Sequence, residues 1–188
     1  MKANRQNLAL SVVLALVVFG LGACNRGRTV EAAREDRPSA VSSAEQDFMK
    51  KATEANLTEI DVARIALQKS DNIDVRDYAT MIQSDHTSAL EDLTDLMRDN
   101  AVPESKTLAA DTKKDMDRMN LLTGPEFDRE FVNMMVADHQ KALEMFRDQA
   151  ASAQNPDVKK YAENLLPKLE MHLDKAQRLQ SKLFGGAK

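Results

Sequence analysis

Tryptophan is missing from this chain of 188 residues, and cysteine occurs once, at position 24. Six glycines, five prolines and 4% aromatic residues leave little of the turn chemistry that a fold of many short strands requires. No Cys-x-x-Cys pair, Ser/His/Asp order or glycine-rich phosphate loop is present, so the familiar signatures of dithiol redox chemistry, serine hydrolysis and nucleotide binding are absent. There is no long basic patch either. With 26 Lys+Arg against 30 Asp+Glu, nucleic acid is a poor partner. The Glu-x-x-His pattern of di-iron bundles is missing as well: Gln83, Val136 and Leu169 stand three residues before the three histidines.

What is present begins with an export signal. Lys2 and Arg5 form a positive n-region, and Leu8 to Gly20 is an apolar h-region. That run is shorter than the ~20 residues a membrane-spanning helix needs. Leu21-Gly22-Ala23-Cys24 resembles the lipobox of bacterial lipoproteins. The resemblance implies cleavage of residues 1–23 and lipidation of Cys24, against the simpler reading of an ordinary signal peptide with an incidental cysteine. Two acyl chains would hold the protein to a membrane stably. Asn25, where inner-membrane lipoproteins of Gram-negative cells tend to carry Asp, implies the outer membrane with the domain facing the periplasm; the alternative is the surface of a Gram-positive cell. Residues 24–43 read as the lipidated cysteine and a flexible tether, with no apolar periodicity. Losing Lys2 and Arg5 leaves 24 Lys+Arg against 30 Asp+Glu, a net charge of −6.

Residues 44–184 are one domain's worth of chain, rich in Ala, Leu, Met and charged residues, a helical composition. Four long amphipathic helices are predicted from 3.6-residue spacing. The first covers 44–69, with Ser42 or Ser43 as N-cap. The second covers 73–99, after a break at Asp71 or Asn72. A short helix covers 105–120. The third long helix starts at Thr123-Gly124-Pro125-Glu126 and ends near Ala153. The fourth runs 158–183, with Pro167 expected to kink it. Short loops make each pair an antiparallel hairpin, and the long connection through 100–125 lets the hairpins form a four-helix bundle with one crossover.

The apolar stripes have gaps. Glu59 falls between Ala55 and Ala63, His86 between Ile82 and Leu90, and His172 between Leu169 and Ala176. Asp138 falls between Met134 and Ala142, with His139 just beside the stripe. All three histidines of the protein are in this set. Each is near the middle of its helix, and mid-helix positions share one layer in an antiparallel bundle. Carboxylates are rarely buried alone. One carboxylate and two or three imidazoles should therefore converge, with Asp85 and Asp138 as further ligands or acceptors for imidazole N–H. The cluster suits zinc, iron, copper or manganese. Met81, Met134, Met135 and Met171 would favour copper(I), although methionine is also a common core filler. The competing reading is a hydrogen-bond network that fixes helix register.

Asp47-Phe48-Met49, Glu59, Ala66-Leu67-Gln68-Lys69-Ser70, Val75, Tyr78-Ala79, Met81-Ile82 and Asp85-His86 carry a family resemblance. It continues through Gly124-x2-Phe127-Asp128, Met134-Met135-Val136-x-Asp138-His139 and Leu166-Pro167-x-Leu169-x2-His172-Leu173. On these the chain resembles the exported bacterial ferritin-like family called domain of unknown function 4142. The resemblance covers about residues 47–179 and implies a ferritin-like bundle and an envelope location, but no reaction. The expectation is an all-α, ferritin-like envelope lipoprotein that binds one transition-metal ion through Glu59, His86, His139 and His172, for metal buffering or stress tolerance. The alternative is a non-catalytic structural module with the same layer as hydrogen bonds. An enzyme would additionally need an open coordination position.

Overall fold

The computed structural model describes residues 40–104 and 110–185. The signal segment, Cys24 and nearly all of the expected tether lie outside the described residues. Five helices follow one another: α1 (Ser43–Lys69), α2 (Ile73–Asp99), α3 (Ala110–Leu121), α4 (Gly124–Ser152) and α5 (Pro156–Phe184). Among the described residues no helix is long and apolar enough to cross a membrane.

The helix starts follow local chemistry. Ser42 caps α1 through a capping box with Glu45. Asn72 and Asn155 cap α2 and α5, each side-chain oxygen accepting two backbone N–H bonds. Because Asn155 is the cap, Pro156 takes the first turn of α5, where its missing N–H costs nothing. The helix therefore begins two residues earlier than the periodicity placed it. α5 runs on through Pro167, which sits on the exposed face. The start expected for α3 at Ser105 lies outside the described residues.

Hydrogen bonds between the helix ends give the topology. At one end, called lower here, Glu45 of α1 accepts from the backbone N–H of Gln154 and Asn155, and Asn155 bonds Asn100 after α2. At the upper end, Lys69 of α1 donates to the carbonyls of Asn120 and Leu122, just before α4, and Lys182 of α5 pairs with Asp74 of α2. α1 and α5 thus run up, while α2 and α4 run down. α1 packs on α2 and α4, α5 packs on α4 and α2, and α3 lies against α1 and α4. This is the all-α, ferritin-like four-helix bundle with a crossover.

The core is in two parts. An upper cluster holds Val62, Ala66, Tyr78, Ile82, Phe127, Phe131, Met135 and Leu179, among others. A lower one holds Phe48, Met49, Leu93, Met97, Phe146, Tyr161 and Leu169, among others. Each large side chain buried contributes about 1.5–3 kcal/mol. Between the clusters lie the polar residues.

Glu45 is the tie at the lower end. Only 2% exposed, it holds the α4–α5 turn by two backbone bonds of 2.9 and 2.8 Å and Ser42 by two more of 2.7 Å. Burial would raise its pKa, but these bonds outweigh it and hold the carboxyl below the usual range. Glu45→Ala strands buried donors and removes half a capping box. It is expected to cost roughly 2–4 kcal/mol, read as a lower urea midpoint with an unchanged slope.

Candidate metal centre

Glu59 and His172 stand sixteen residues from the lower ends of α1 and α5, and His86 and His139 thirteen from the lower ends of α2 and α4. At ~1.5 Å per residue the four fall within about 5 Å along the bundle axis. All four are buried. The structure brings together Glu59, His86, His139 and His172, with Asp85 at the margin.

Two placements on α4 differ from the sequence expectation. His139, expected beside the stripe, is fully buried, and Asp138, expected on the core face, is only partly buried. The inward stripe of α4 runs Phe131, Met135, His139, Ala142, Phe146, one residue on from the register that put Met134 and Asp138 inward. Asp138 makes no hydrogen bond to an imidazole. Burial and the Asp115 charge raise its pKa, with Lys141 opposing. Asn56 was missed. It lies one turn before Glu59 on the same face, and a polar residue between Ala52 and Glu59 was the available signal.

The donors and acceptors around the layer fix the imidazole tautomers. His139 Nδ1 is 2.9 Å from the Met135 carbonyl, which can only accept, so Nδ1 carries the proton. Asn56 Nδ2 donates to the Ala52 carbonyl, leaving its Oδ1 to accept from His86 Nδ1 at 2.9 Å. His172 Nε2 meets Asp85 Oδ2 at 2.9 Å. Burial would raise the Asp85 pKa, but His172 and Lys168 outweigh it and hold the carboxylate ionised, so Nε2 donates. Every imidazole therefore spends its N–H on an outward partner. Three bare nitrogens, His86 Nε2, His139 Nε2 and His172 Nδ1, turn inward.

These lone pairs face one another and a carboxylate. His139 Nε2 is 3.2 Å from His172 Nδ1, His86 Nε2 is 3.0 Å from Glu59 Oε2, and His139 Nε2 is 3.5 Å from the same oxygen. The 3.0 Å approach is close but not aligned to share a hydrogen. Among the described residues three buried polar atoms lack a hydrogen-bond partner, and two of them are Glu59 Oε2 and His86 Nε2. The third, Asp128 Oδ1, nothing in the structure explains. Bonds of ~2.0–2.1 Å at a tetrahedral angle would hold ligand atoms about 3.3–3.4 Å apart, close to the three separations found. The three histidines can each offer a ring nitrogen within 4.8 Å of the others. The three histidines could thus hold a metal ion, with Glu59 Oε2 beside them.

Electrostatics point the same way. Burial, reinforced by the neighbouring imidazoles, pushes His86 down to about 3 and His139 down to about 4, and burial lowers His172 against the pull of Asp85. The imidazoles are neutral, the form that ligates. Burial and the Asp138 charge raise Glu59 well above its usual range, which favours its protonated form when no cation is near. A cavity of about 20 Å³, enough for one water, adjoins Glu59, His86 and His172 and reaches Asp85 and Lys168.

The family model described as "Domain of unknown function (DUF4142)" matches residues 30–179. No curated protein matches the sequence. Solved structures of similar fold include a DUF305 fragment from Deinococcus radiodurans, with TM-score 0.68 and 15% identity over 76% of this chain and 98% of that one. CopM in the Cu(II)-bound form aligns with TM-score 0.64 and 20% identity, over 74% and 97% of the two chains. CopM in the Ag-bound form aligns with TM-score 0.61 and 22% identity, over 75% and 98%. At these identities the likeness concerns the fold.

The histidine shifts set a pH dependence for the metal-free domain. Below the unfolded value of 6.5, the unfolded chain binds protons that the folded His86, His139 and His172 refuse, so stability falls with pH down to about 4. Glu59 works oppositely, losing stability as pH rises from 4.5 through its raised value. His86 and His139 against one glutamate leave a net of about one proton, or roughly 1–1.5 kcal/mol per pH unit between about pH 4.5 and 6, and His172 adds to the loss in the same direction. Urea titrations across that window, with chelator present, should show this loss on acidification. A flat profile would mean that the layer is solvated.

Proposed function

This chain belongs to the DUF4142 family, a domain of unknown function, and we propose that its mid-bundle layer binds one transition-metal ion. Glu59 Oε2, His86 Nε2, His139 Nε2 and His172 Nδ1 would hold it. The observation that carries this reading is the tautomer pattern, with three imidazoles donating outward and three lone pairs left facing a carboxylate oxygen that has no hydrogen-bond partner. A bound divalent ion would supply the positive charge that the set lacks. Three imidazoles and one carboxylate accept Cu(II) or Zn(II) readily. Copper is the first ion to test, since one solved structure of like fold is a Cu(II)-bound form. Four occupied positions leave none open for substrate, which suits a binder or buffer of metal better than a catalyst.

The network reading has an observation of its own. The 3.2 Å contact between His139 and His172 becomes a hydrogen bond if one proton sits between the two rings. One experiment separates the readings. Purified residues 40–188, without a His-tag, should bind one Cu(II) or Zn(II) per chain. At 100 to 1,000 times the dissociation constant the ion should add about 3–4 kcal/mol of stability, and a chelator should remove it. His86→Ala should abolish the response. If chelator and metal leave the melting temperature unchanged while His86→Ala destabilises by roughly 1–3 kcal/mol, the layer is a structural network.

The same proposal places the protein at the cell envelope, anchored by acyl chains on Cys24 with the bundle in the periplasm, most naturally at the outer membrane. Leu21-Gly22-Ala23-Cys24 and the apolar run before it support this. Its work there would be metal buffering or stress tolerance. Cys24→Ser should move the protein from the membrane fraction to the soluble one. Retention on membranes after a salt wash would exclude acylation as the anchor.

A further inference from the structure

The layer is sealed unequally on its four sides. Two helix seams, α1–α2 and α4–α5, are closed by short turns. A third, α1–α4, has α3 packed against both of its helices. The fourth, α2–α5, joins the two hairpins with no helix across it among the described residues. The outer partners show the same asymmetry. His86 and His139 donate to buried groups, Asn56 and the Met135 carbonyl. His172 donates to Asp85, which is partly exposed and pairs with Lys168 Nζ at 3.1 Å. The cavity beside the ligands is lined by Asp85 and Lys168 on this seam and by Glu59, His86 and His172 within.

The seam is also laced by a charge pattern. Lys168, Lys175 and Lys182 recur every seven residues along α5 and reach across to Asp85, Met81 and Asp74 of α2. Two buried tyrosine hydroxyls frame the layer on the same seam. Tyr78 of α2 donates to the His172 carbonyl at 3.3 Å, and Tyr161 of α5 donates to the Ala89 carbonyl at 3.1 Å. Between these ties, among the described residues, the charged groups that bridge the seam beside the cavity are Asp85 and Lys168.

We infer that metal ions reach the layer through the α2–α5 seam, with Asp85 as the carboxylate that receives the ion and Lys168 as the cation that closes the way. This rests on the metal-binding reading of the layer and adds its portal. While paired, Lys168 covers the Asp85 carboxylate and repels an approaching dication. When its side chain swings into solvent, Asp85 offers an anionic oxygen beside the cavity that leads to Glu59. Asp85 also orients the His172 ring through Nε2, so the receiving carboxylate and a final ligand are in direct contact. Lys168 is therefore a rate-determining residue that touches no ligand atom.

The test uses Co(II) alone as probe, because an ion held by three imidazoles and a carboxylate in tetrahedral array has strong visible absorption. Association is followed by stopped-flow with wild type, Lys168→Met, Lys168→Arg and Arg147→Gln, the last at a surface ion pair on α4 and α5. Removing one unit charge a few Å from the path of a dication should speed association about tenfold at low salt, and the difference should shrink at high salt. Lys168→Arg and Arg147→Gln should keep the wild-type rate. Asp85→Asn should slow association in either background. If wild type takes up Co(II) and Lys168→Met does so at the same rate at low salt, the portal is wrong and the site stands. If no variant takes up Co(II), both fall.

Discussion

Three imidazoles and a carboxylate have been taken out of water at the mid-height of this bundle, and the rest of the architecture answers to that. Desolvating such groups is costly unless each finds a partner. The apolar core is consequently split into two clusters of buried side chains. A slip of any helix by one turn would drive an imidazole into one cluster and leave a methylene against Glu59. Register is thereby fixed by polarity at the centre and by capping at the ends. Glu45, with its ties to Ser42 and to the α4–α5 turn, does at the lower end what the histidines do in the middle.

The layer is compensated outward and uncompensated inward. Outward, Asn56, the Met135 carbonyl and Asp85 each take one imidazole N–H. Inward, only acceptors meet. A proton can relieve one contact at a time, on Glu59 or between His139 and His172, but burial makes the imidazoles poor bases, His86 near 3 and His139 near 4. A divalent ion can relieve all the contacts at once. Binding would then displace the Glu59 proton, so the site exchanges a proton for a metal. The number of carboxylates sets the number of ions. Di-iron bundles bring several carboxylates to two metals, whereas one glutamate with three neutral imidazoles supplies the four donors of one tetrahedral ion and offsets half the charge of a divalent one.

Much of this was legible in the sequence, for identifiable reasons. Helix bounds were readable because Ser42, Asn72 and Gly124-Pro125 are strong local punctuation; Asn155-Pro156 marked the break before α5, but the helix start was placed two residues late, past the proline. The layer was readable because charged residues interrupt stripes at matching depth. The α4 register was not, because Met134 and Met135 are adjacent and equally apolar. Choosing the first put Asp138 inward and left His139 aside, and only packing against α1 and α5 decides between them. Asn56 was passed over since an asparagine weakens a stripe less visibly than a glutamate. The tautomers depend on carbonyls and amides that no side-chain pattern encodes. Lys168 reads as one more exposed lysine until α2 lies beside it.

The topology and the proposed chemistry have a common origin in the crossover. A simple up-down-up-down bundle would close three of its four seams with short loops. Here the chain must travel the length of the bundle between α2 and α4, and α3 on that path packs against α1 and α4. The α2–α5 seam is the one that neither a turn nor a helix covers among the described residues, and polar contacts hold it instead: two tyrosine hydroxyls on carbonyls and three lysines at heptad spacing. Ion pairs near the surface contribute little to stability, commonly ~0–1 kcal/mol each, and the Lys168–Asp85 and Lys182–Asp74 pairs, whose lysines reach solvent, open at little cost. A buried layer that must exchange an ion with solvent needs one side that is weakly held and three that are not. The route of the chain supplies that asymmetry without any break in the helices that carry the ligands.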